Sequence, residues 1–278
     1  MLQTFTISWT LLCIVSAAVL ALHGIRKKSL SLSGAVAAFA VGTVSMVPGA
    51  YYGLMLIAFY LLGSRVTRVG AEHKCRIDGE YRLGGGGERD VWQVICNGGI
   101  GTVLALMLLL LDLNAYQRQL LTVAYASVYG SNCGDTFASE LGVLSTGDPF
   151  LITSFRRVPC GTNGAVSTLR TLAAILGGSL LGISTCLINN NNNVGVLENV
   201  LVCTMSALVG TTVDSILGSL FQATYRDTKD GKIYNSPRKG AELVMNDGMV
   251  AVLSNNQVNL LSSIVTAGIV SGAWSLIQ

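Results

Sequence analysis

The uncharged run LLTVAYASVYG leads directly into SNCGDTFASELG, residues 131–142, which puts Asp135 and Glu140 at the end of a segment suited to lipid. A carboxylate at the bilayer centre costs at least about 2.5 kcal/mol, so these acids either lie outside the hydrocarbon or serve a purpose within it. Asp214, in VGTTVDSILGSL, repeats the setting: a small-polar run, an Asp, a Thr or Ser, then a polar residue and Leu at matching offsets. The echo fits an internal duplication, as many membrane proteins carry, and chance between two Gly-rich helices accounts for it equally well. Carboxylates at one level on two helices can coordinate an ion, form a salt bridge or hydrogen-bond a neighbouring helix. Ionisable groups inside spans favour the functional readings.

The elements that must position these groups follow from composition. Of 278 residues 51% are hydrophobic and only 12% are charged, with 32 glycines and a mean hydropathy of +0.56. Charge at about half the soluble average, clustered between long apolar runs, indicates an integral membrane protein. Apolar runs fall at about 5–22, 31–47, 50–63, 92–111, 118–141, 164–188, 195–221 and 257–276. The expected fold is all-α, a polytopic transmembrane helix bundle forming one integral membrane domain over 1–278. It has about eight membrane segments: six full spans, plus a second and third, split by Val47-Pro48-Gly49, that are tilted spans or a re-entrant hairpin.

Arg26, Lys27 and Lys28 follow the first run and no basic residue precedes it, so it reads as an uncleaved anchor with its N-terminus outside. Sixteen of the eighteen Lys and Arg residues then fall on one side of the map, the cytoplasmic side by the positive-inside rule. The cytoplasmic loops are expected at about 64–91, 142–163 and 222–256. Asp135 lies 17 residues past Arg118, about 26 Å along a helix, and Asp214 lies 19 residues past Gly195, about 28 Å. Both reach the cytoplasmic edge. Asn97, Thr162, Asn163, Ser167, Asn255, Asn256 and Asn259 open other segments from that side, among glycines that permit close helix contact or close approach of a ligand.

Other features carry less. Seven scattered cysteines form no CxxC pair and imply neither a disulfide framework nor a zinc site, and His23 and His73 read as interfacial or solvated. Net charge of +3 is uninformative about nucleic acid in such a chain, and none is expected as a partner. Gly84–Gly87 could cradle an anion with backbone amides, but the GK[ST] of a phosphate loop is absent and a flexible hinge serves as well. Arg238 and Lys239, in the polar stretch 229–246, face solvent or anionic headgroups. Arg170 is within snorkelling reach of the cytoplasmic face and could pair with Asp135 or Asp214 instead.

GGERDVWQVICNGG, CGDTFASELG, VPCGTNGAVS, VDSILGSLFQ, NSP at 235–237 and NNQVNLLSS at 255–263 together resemble the signature blocks of the transmembrane protein 19 family, in order, over roughly residues 30–276. That family includes plant and cyanobacterial phytyl-phosphate kinases and is distantly similar to CTP-using polyprenol kinases. This sequence is most similar to the animal branch, for which the resemblance implies no assured activity. Ala165 stands where the family usually repeats glycine. Arg170 replaces a small or apolar residue, which sets it outside the shared catalytic set.

The resemblance implies a membrane-embedded kinase that moves a phosphoryl group from a nucleotide, CTP being one option, to a polyprenyl or other isoprenoid lipid monophosphate at the cytoplasmic interface. Phosphoryl transfer needs a divalent metal across the nucleotide phosphates, further positive charge and alignment. Asp135 and Asp214 are the expected Mg²⁺ ligands, with Glu140 as a further ligand or their partner. Substrate and nucleotide would rest on Asn97, Gly85, Gly86, Arg89, Thr162, Asn163, Gly164, Ser215, Asn256 and Asn259, with the start of the sixth run lending its helix dipole. A dianionic phosphate acceptor needs no general base, which suits the lack of histidine here. The implied partners are the bilayer, an isoprenoid phosphate lipid and a nucleotide, and a homo-oligomer is compatible. Endoplasmic reticulum or another endomembrane is the default location. The competing classes are an ion or small-solute transporter using the same carboxylates and a non-catalytic membrane scaffold. Lipid chain length, nucleotide preference and oligomeric state are not specified by these residues.

Overall fold

The computed structural model describes residues 7–81, 87–186, 194–244 and 252–278. The apolar runs become helices α1 (Ile7–Arg26), α2 (Leu32–Met46), α3 (Ala50–Val66), α5 (Val91–Leu110), α6 (Ala115–Gly142), α7 (Thr168–Ser184), α8 (Val196–Phe221) and α9 (Asn255–Ser275), and a short α4 (Ala71–Ile77) follows α3. Among the described residues α1, α5, α8 and α9 are long and apolar enough to cross a membrane, and α3 with α4, bent by 72°, makes a further candidate. α2 and α7 are apolar but have only 15 and 17 residues. The chain is a helical integral membrane protein.

Capping residues set the starts of several helices at the site end of the bundle. Ser31, Asp90, Ser167 and Ser254 each accept from the backbone N–H group three residues on, satisfying donors that helix geometry leaves free. The expected loops are not structureless. The first contains α4; the second contains β1 (Phe150–Leu151), which pairs antiparallel with β2 (Ala165–Val166). The third folds into an antiparallel sheet of β3 (Thr224–Asp227), β4 (Ile233–Tyr234) and β5 (Ala241–Val244), in the order β4-β3-β5. Backbone contacts join these loops: Asp78 bridges Ile233, and Glu80 accepts from Asn235 N–H, Asn235 Nδ2 and Ser236 Oγ at 3.4, 3.4 and 3.5 Å.

α6 is the core. It packs against α3, α5, α7, α8 and α9, and every residue from Thr122 to Gly134 is buried. Enclosure by apolar helices explains why the longest helix is also among the more polar: its serines and asparagine meet neighbouring helices rather than lipid. Small residues bring the axes close. A Cβ added at Gly178 would lie 2.7 Å from the Ala207 Cβ and from the Cys203 carbonyl oxygen, and Gly134 faces Ala207 with no room for any side chain.

The two ends of the bundle are tied differently. At the end away from the loops Tyr51 donates to Asn199 Oδ1 (2.6 Å), Asn199 donates to Thr185 Oγ1 (2.6 Å), and Trp274 Nε1 donates to Glu198. Near the loops, Lys74 of α4 reaches Glu140 Oε2 at 2.6 Å and the Thr67 carbonyl at 3.0 Å, closing the C-terminus of α3. The Lys74 side chain is 3% exposed and that of Glu140 is 22% exposed, so the pair is largely withdrawn from water.

Two stability outcomes follow. Gly134→Leu should lower the thermal unfolding midpoint of the detergent-solubilised protein, since overpacking a tight contact costs about 1–3 kcal/mol. Gly268→Leu, on α9 with nothing within 4 Å of an added Cβ, should leave it unchanged. Glu140→Gln should strand the buried Lys74 ammonium at a cost of about 3–5 kcal/mol, and adding Lys74→Met should recover most of the lost midpoint.

Candidate active site at one end of the bundle

Asp135 on α6 and Asp214 on α8 converge, as counting along the helices predicts, and Arg170 of α7 stands between them. Ser167 caps α7 by accepting from the Arg170 N–H, which fixes the first turn and aims the side chain inward. Arg170 Nη2 lies 3.3 Å from Asp135 Oδ1 and 3.5 Å from Asp214 Oδ1. A good charge-assisted bond is about 2.7–2.9 Å long, so a single nitrogen is shared loosely by two acids. The Arg170 Nε is buried without a partner. Both carboxylates thus keep lone pairs to spare, and the guanidinium keeps donors to spare.

The asparagines divide into those that touch the acids and those that brace them. Asn259 of α9, with its amide nitrogen turned to its two nearest acceptors, donates to Asp214 Oδ2 at 3.3 Å and to the Asn255 carbonyl at 3.1 Å. Behind it, Asn132 Nδ2 donates to the Asn97 carbonyl (2.8 Å) and Ser263 Oγ to Asn132 Oδ1 (2.8 Å), joining α5, α6 and α9. Asn97 itself donates to the Gln93 carbonyl at 2.9 Å. It belongs to the brace, not to the surface a ligand meets.

The acids open on a cavity of about 420 Å³, within the range of small-molecule sites. Asp135, Asp214, Glu140, Arg89, Arg170 and Asn259 line it, together with the loop Thr162–Gly164. Ser215 and Asn256 do not; Ser215 is buried, and its carbonyl packs against Gly164. Gly85 and Gly86 fall outside the described residues, while Gly87 reaches the cavity rim.

Two expectations are corrected here. Thr162–Gly164 do not open a helix: α7 starts at Thr168, and the loop spends its polar groups internally, Asn163 N–H on Thr224 Oγ1 (3.1 Å), Asn163 Nδ2 on the Ala223 carbonyl (3.0 Å) and Thr162 Oγ1 on the Pro159 carbonyl (2.7 Å). Gly164 adopts φ +75° to make this turn and lies against the Ser219 backbone. Glu140 faces Lys74 rather than joining the two aspartates as a third ligand. Arg170 takes the pairing that its place near the start of its helix allows, bridging Asp135 and Asp214 rather than reaching for headgroups.

Arg89 sits just before α5, with Nη1 on Ser64 Oγ at 3.2 Å and its guanidinium 5.8 Å from the Tyr60 ring centroid. Burial lowers its pKa from the ordinary arginine value, opposed by Tyr60 and Glu140, and leaves it a cation. Among the described residues no group of three His, Cys, Asp or Glu side chains is gathered to hold a metal. Two loosely paired carboxylates and a nearby amide do fit a hard ion such as Mg²⁺, which keeps waters and takes phosphate oxygens.

Comparison with known proteins bears on the whole chain. It is 33% identical to Protein PGR of Arabidopsis thaliana over 274 residues, 93% of each chain, and 30% identical over 248 residues to an uncharacterised membrane protein of Methanocaldococcus jannaschii, covering 89% and 87%. It is also 30% identical to Protein VTE6, chloroplastic, of Arabidopsis thaliana over 195 residues, 69% of this chain and 56% of that protein. No solved structure matches it. A family model described as integral membrane protein DUF92 matches residues 15–267, and the chain belongs to that family.

Proposed function

We propose that this protein is a membrane-embedded lipid-phosphate kinase, transferring a phosphoryl group from a nucleoside triphosphate to an isoprenoid lipid monophosphate. The observation that carries this reading is the acidic pair of Asp135 and Asp214 facing a cation-lined cavity at one end of the bundle. The resemblance to phytyl-phosphate kinases supports the same chemistry. The membrane compartment is left open: a relative named as chloroplastic gives no support to an endoplasmic-reticulum default.

In the proposed reaction an oxygen of the lipid phosphate attacks the terminal phosphorus of the nucleotide. The bond to the nucleoside diphosphate breaks and its electron pair leaves with that diphosphate, so the products are a lipid diphosphate and a nucleoside diphosphate. Asp135 and Asp214 would hold Mg²⁺, with Asn259 orienting Asp214. When bound, the ion offsets the charge of the nucleotide phosphates. Arg170, which lines the cavity, would place positive charge beside the incoming phosphates. A phosphate monoester with its second pKa near 6 is mostly dianionic at neutral pH. No general base is required, in keeping with a Glu140 occupied by Lys74.

Transport has less support. On the described helices the ionisable side chains sit toward the ends, and between them α6 offers Tyr125, Val128 and Tyr129 rather than a charged path. A scaffold could use the triad as a tie between α6, α7 and α8, but that use does not account for the cavity on which it opens.

With purified protein, Mg²⁺, a panel of nucleoside triphosphates and isoprenyl monophosphates, turnover is expected for wild type. Asp135→Asn and Asp214→Asn should each cut it by on the order of 10²–10³-fold. Each variant leaves Arg170 one acidic partner, so elution volume and unfolding midpoint should hold. Undiminished phosphorylation in the double variant would remove the reading, and solute flux in nucleotide-free proteoliposomes would replace it with transport.

A further inference from the structure

The cavity has a second set of cations, besides the one that bridges the acidic pair, gathered as a basic wall around the connection between α1 and α2. Arg68 donates from Nη2 to the Lys27 carbonyl (3.5 Å), Arg89 N–H donates to the Ser29 carbonyl (3.1 Å), and Ser31 N–H donates back to the Arg89 carbonyl (3.1 Å). Ser29 Oγ meets Tyr60 Oη at 2.7 Å, on the ring that Arg89 overlies. Lys28, Arg68 and Arg89 all line the cavity. Lys74 and Arg170, the other cations there, are each spent on carboxylates, but among the described residues these three have no carboxylate within 4.0 Å.

Two features of this wall point to a ligand. A partly buried guanidinium whose direct side-chain contacts are a hydroxyl and a ring, with Glu140 acting on it only from beyond ion-pair distance, bears a desolvation cost that an anion would offset. Lys28 is held at φ +53°, in the left-handed region that a non-glycine residue enters at a cost of about 1 kcal/mol. Such strain collects at ligand clamps.

The wall's place in the fold says what kind of anion. The connection is flanked by Leu22 and Ile25 of α1 and by Leu32 and Val36 of α2, all exposed apolar side chains on membrane helices. A molecule whose phosphate rests on Lys28, Arg68 and Arg89 can therefore lay a hydrocarbon tail along α1 and α2 without crossing the cavity. We propose that this basic wall is the headgroup subsite for a lipid monophosphate, holding the acceptor phosphate in the cavity that the acidic pair also lines. The choice of a lipid rests on the kinase reading above; the phosphate chemistry does not.

The test is binding, without nucleotide, of farnesyl monophosphate to the full-length protein in detergent, with farnesol, inorganic phosphate and inorganic pyrophosphate as comparison probes. Lys28 and Arg68 are exposed, so Lys28→Gln and Arg68→Gln should fold even if Arg89→Gln does not. Farnesyl monophosphate should bind more tightly than farnesol or inorganic phosphate, and each Gln variant should weaken it by about tenfold, the worth of one charge-assisted hydrogen bond. Equal affinity across the variants would overturn the subsite. So would wall-dependent binding of pyrophosphate without binding of farnesyl monophosphate. Wall-dependent lipid binding with no turnover on any nucleotide would refute the kinase and keep the subsite; turnover with an unchanged KM for the lipid in Lys28→Gln and Arg68→Gln would do the reverse.

Discussion

The loose sharing of one guanidinium by two carboxylates is the constraint on which the rest of the molecule depends. Asp135 and Asp214 could not both be ionised side by side in a helical membrane protein without a compensating charge, because both would have to surrender their water. Arg170 supplies that charge from a third helix, and its cap at Ser167 fixes where it does so. At 3.3 and 3.5 Å the bonds are long enough for the triad to be stable and still exchange partners. A site that must neutralise incoming phosphates is better served by such slack than by a closed fork.

Everything beneath the triad holds three helix axes at the right spacing. α6, α7 and α8 meet through glycine, alanine, serine and cysteine, so one added methyl group at Gly134 or Gly178 would force the helices that carry the triad to shift. The Asn97–Asn132–Ser263 ties then bring α5 and α9 into the same frame, and Asn259 comes with them. Packing and chemistry are one problem in this protein: the polar residues of α6 are affordable because apolar helices surround it, and they are useful because those helices stop at the cavity.

How much of this could be read from the chain depends on the range of each interaction. The level of Asp135 and Asp214 follows from helical rise alone, since α6 and α8 run the same way, and both acids do meet. The membrane helices follow from apolar length. What local sequence does not carry is partnership across distance. Glu140 is satisfied by Lys74, 66 positions away on a helix of seven residues. The turn at Thr162–Gly164 is specified by Thr224 and Ala223, so counting from the apolar run starts α7 too early. The strands of the third loop are too short to declare a register without the neighbours that pair with them. Arg170 is intermediate: helical rise brings it within reach of either acid, but that it meets both depends on how closely α6, α7 and α8 pack.

The seam between Glu80 and the Asn235–Ser236 turn couples two loops far apart in the chain. Three exposed hydrogen bonds of 3.4–3.5 Å and one backbone bridge fasten the start of the connection after α4 to the third loop, and Glu80 and Asn235 both line the cavity. Where the helices below touch, an added Cβ finds no room. Packing thus fixes one boundary of the cavity and long, water-exposed bonds another, so the two differ in what it takes to deform them.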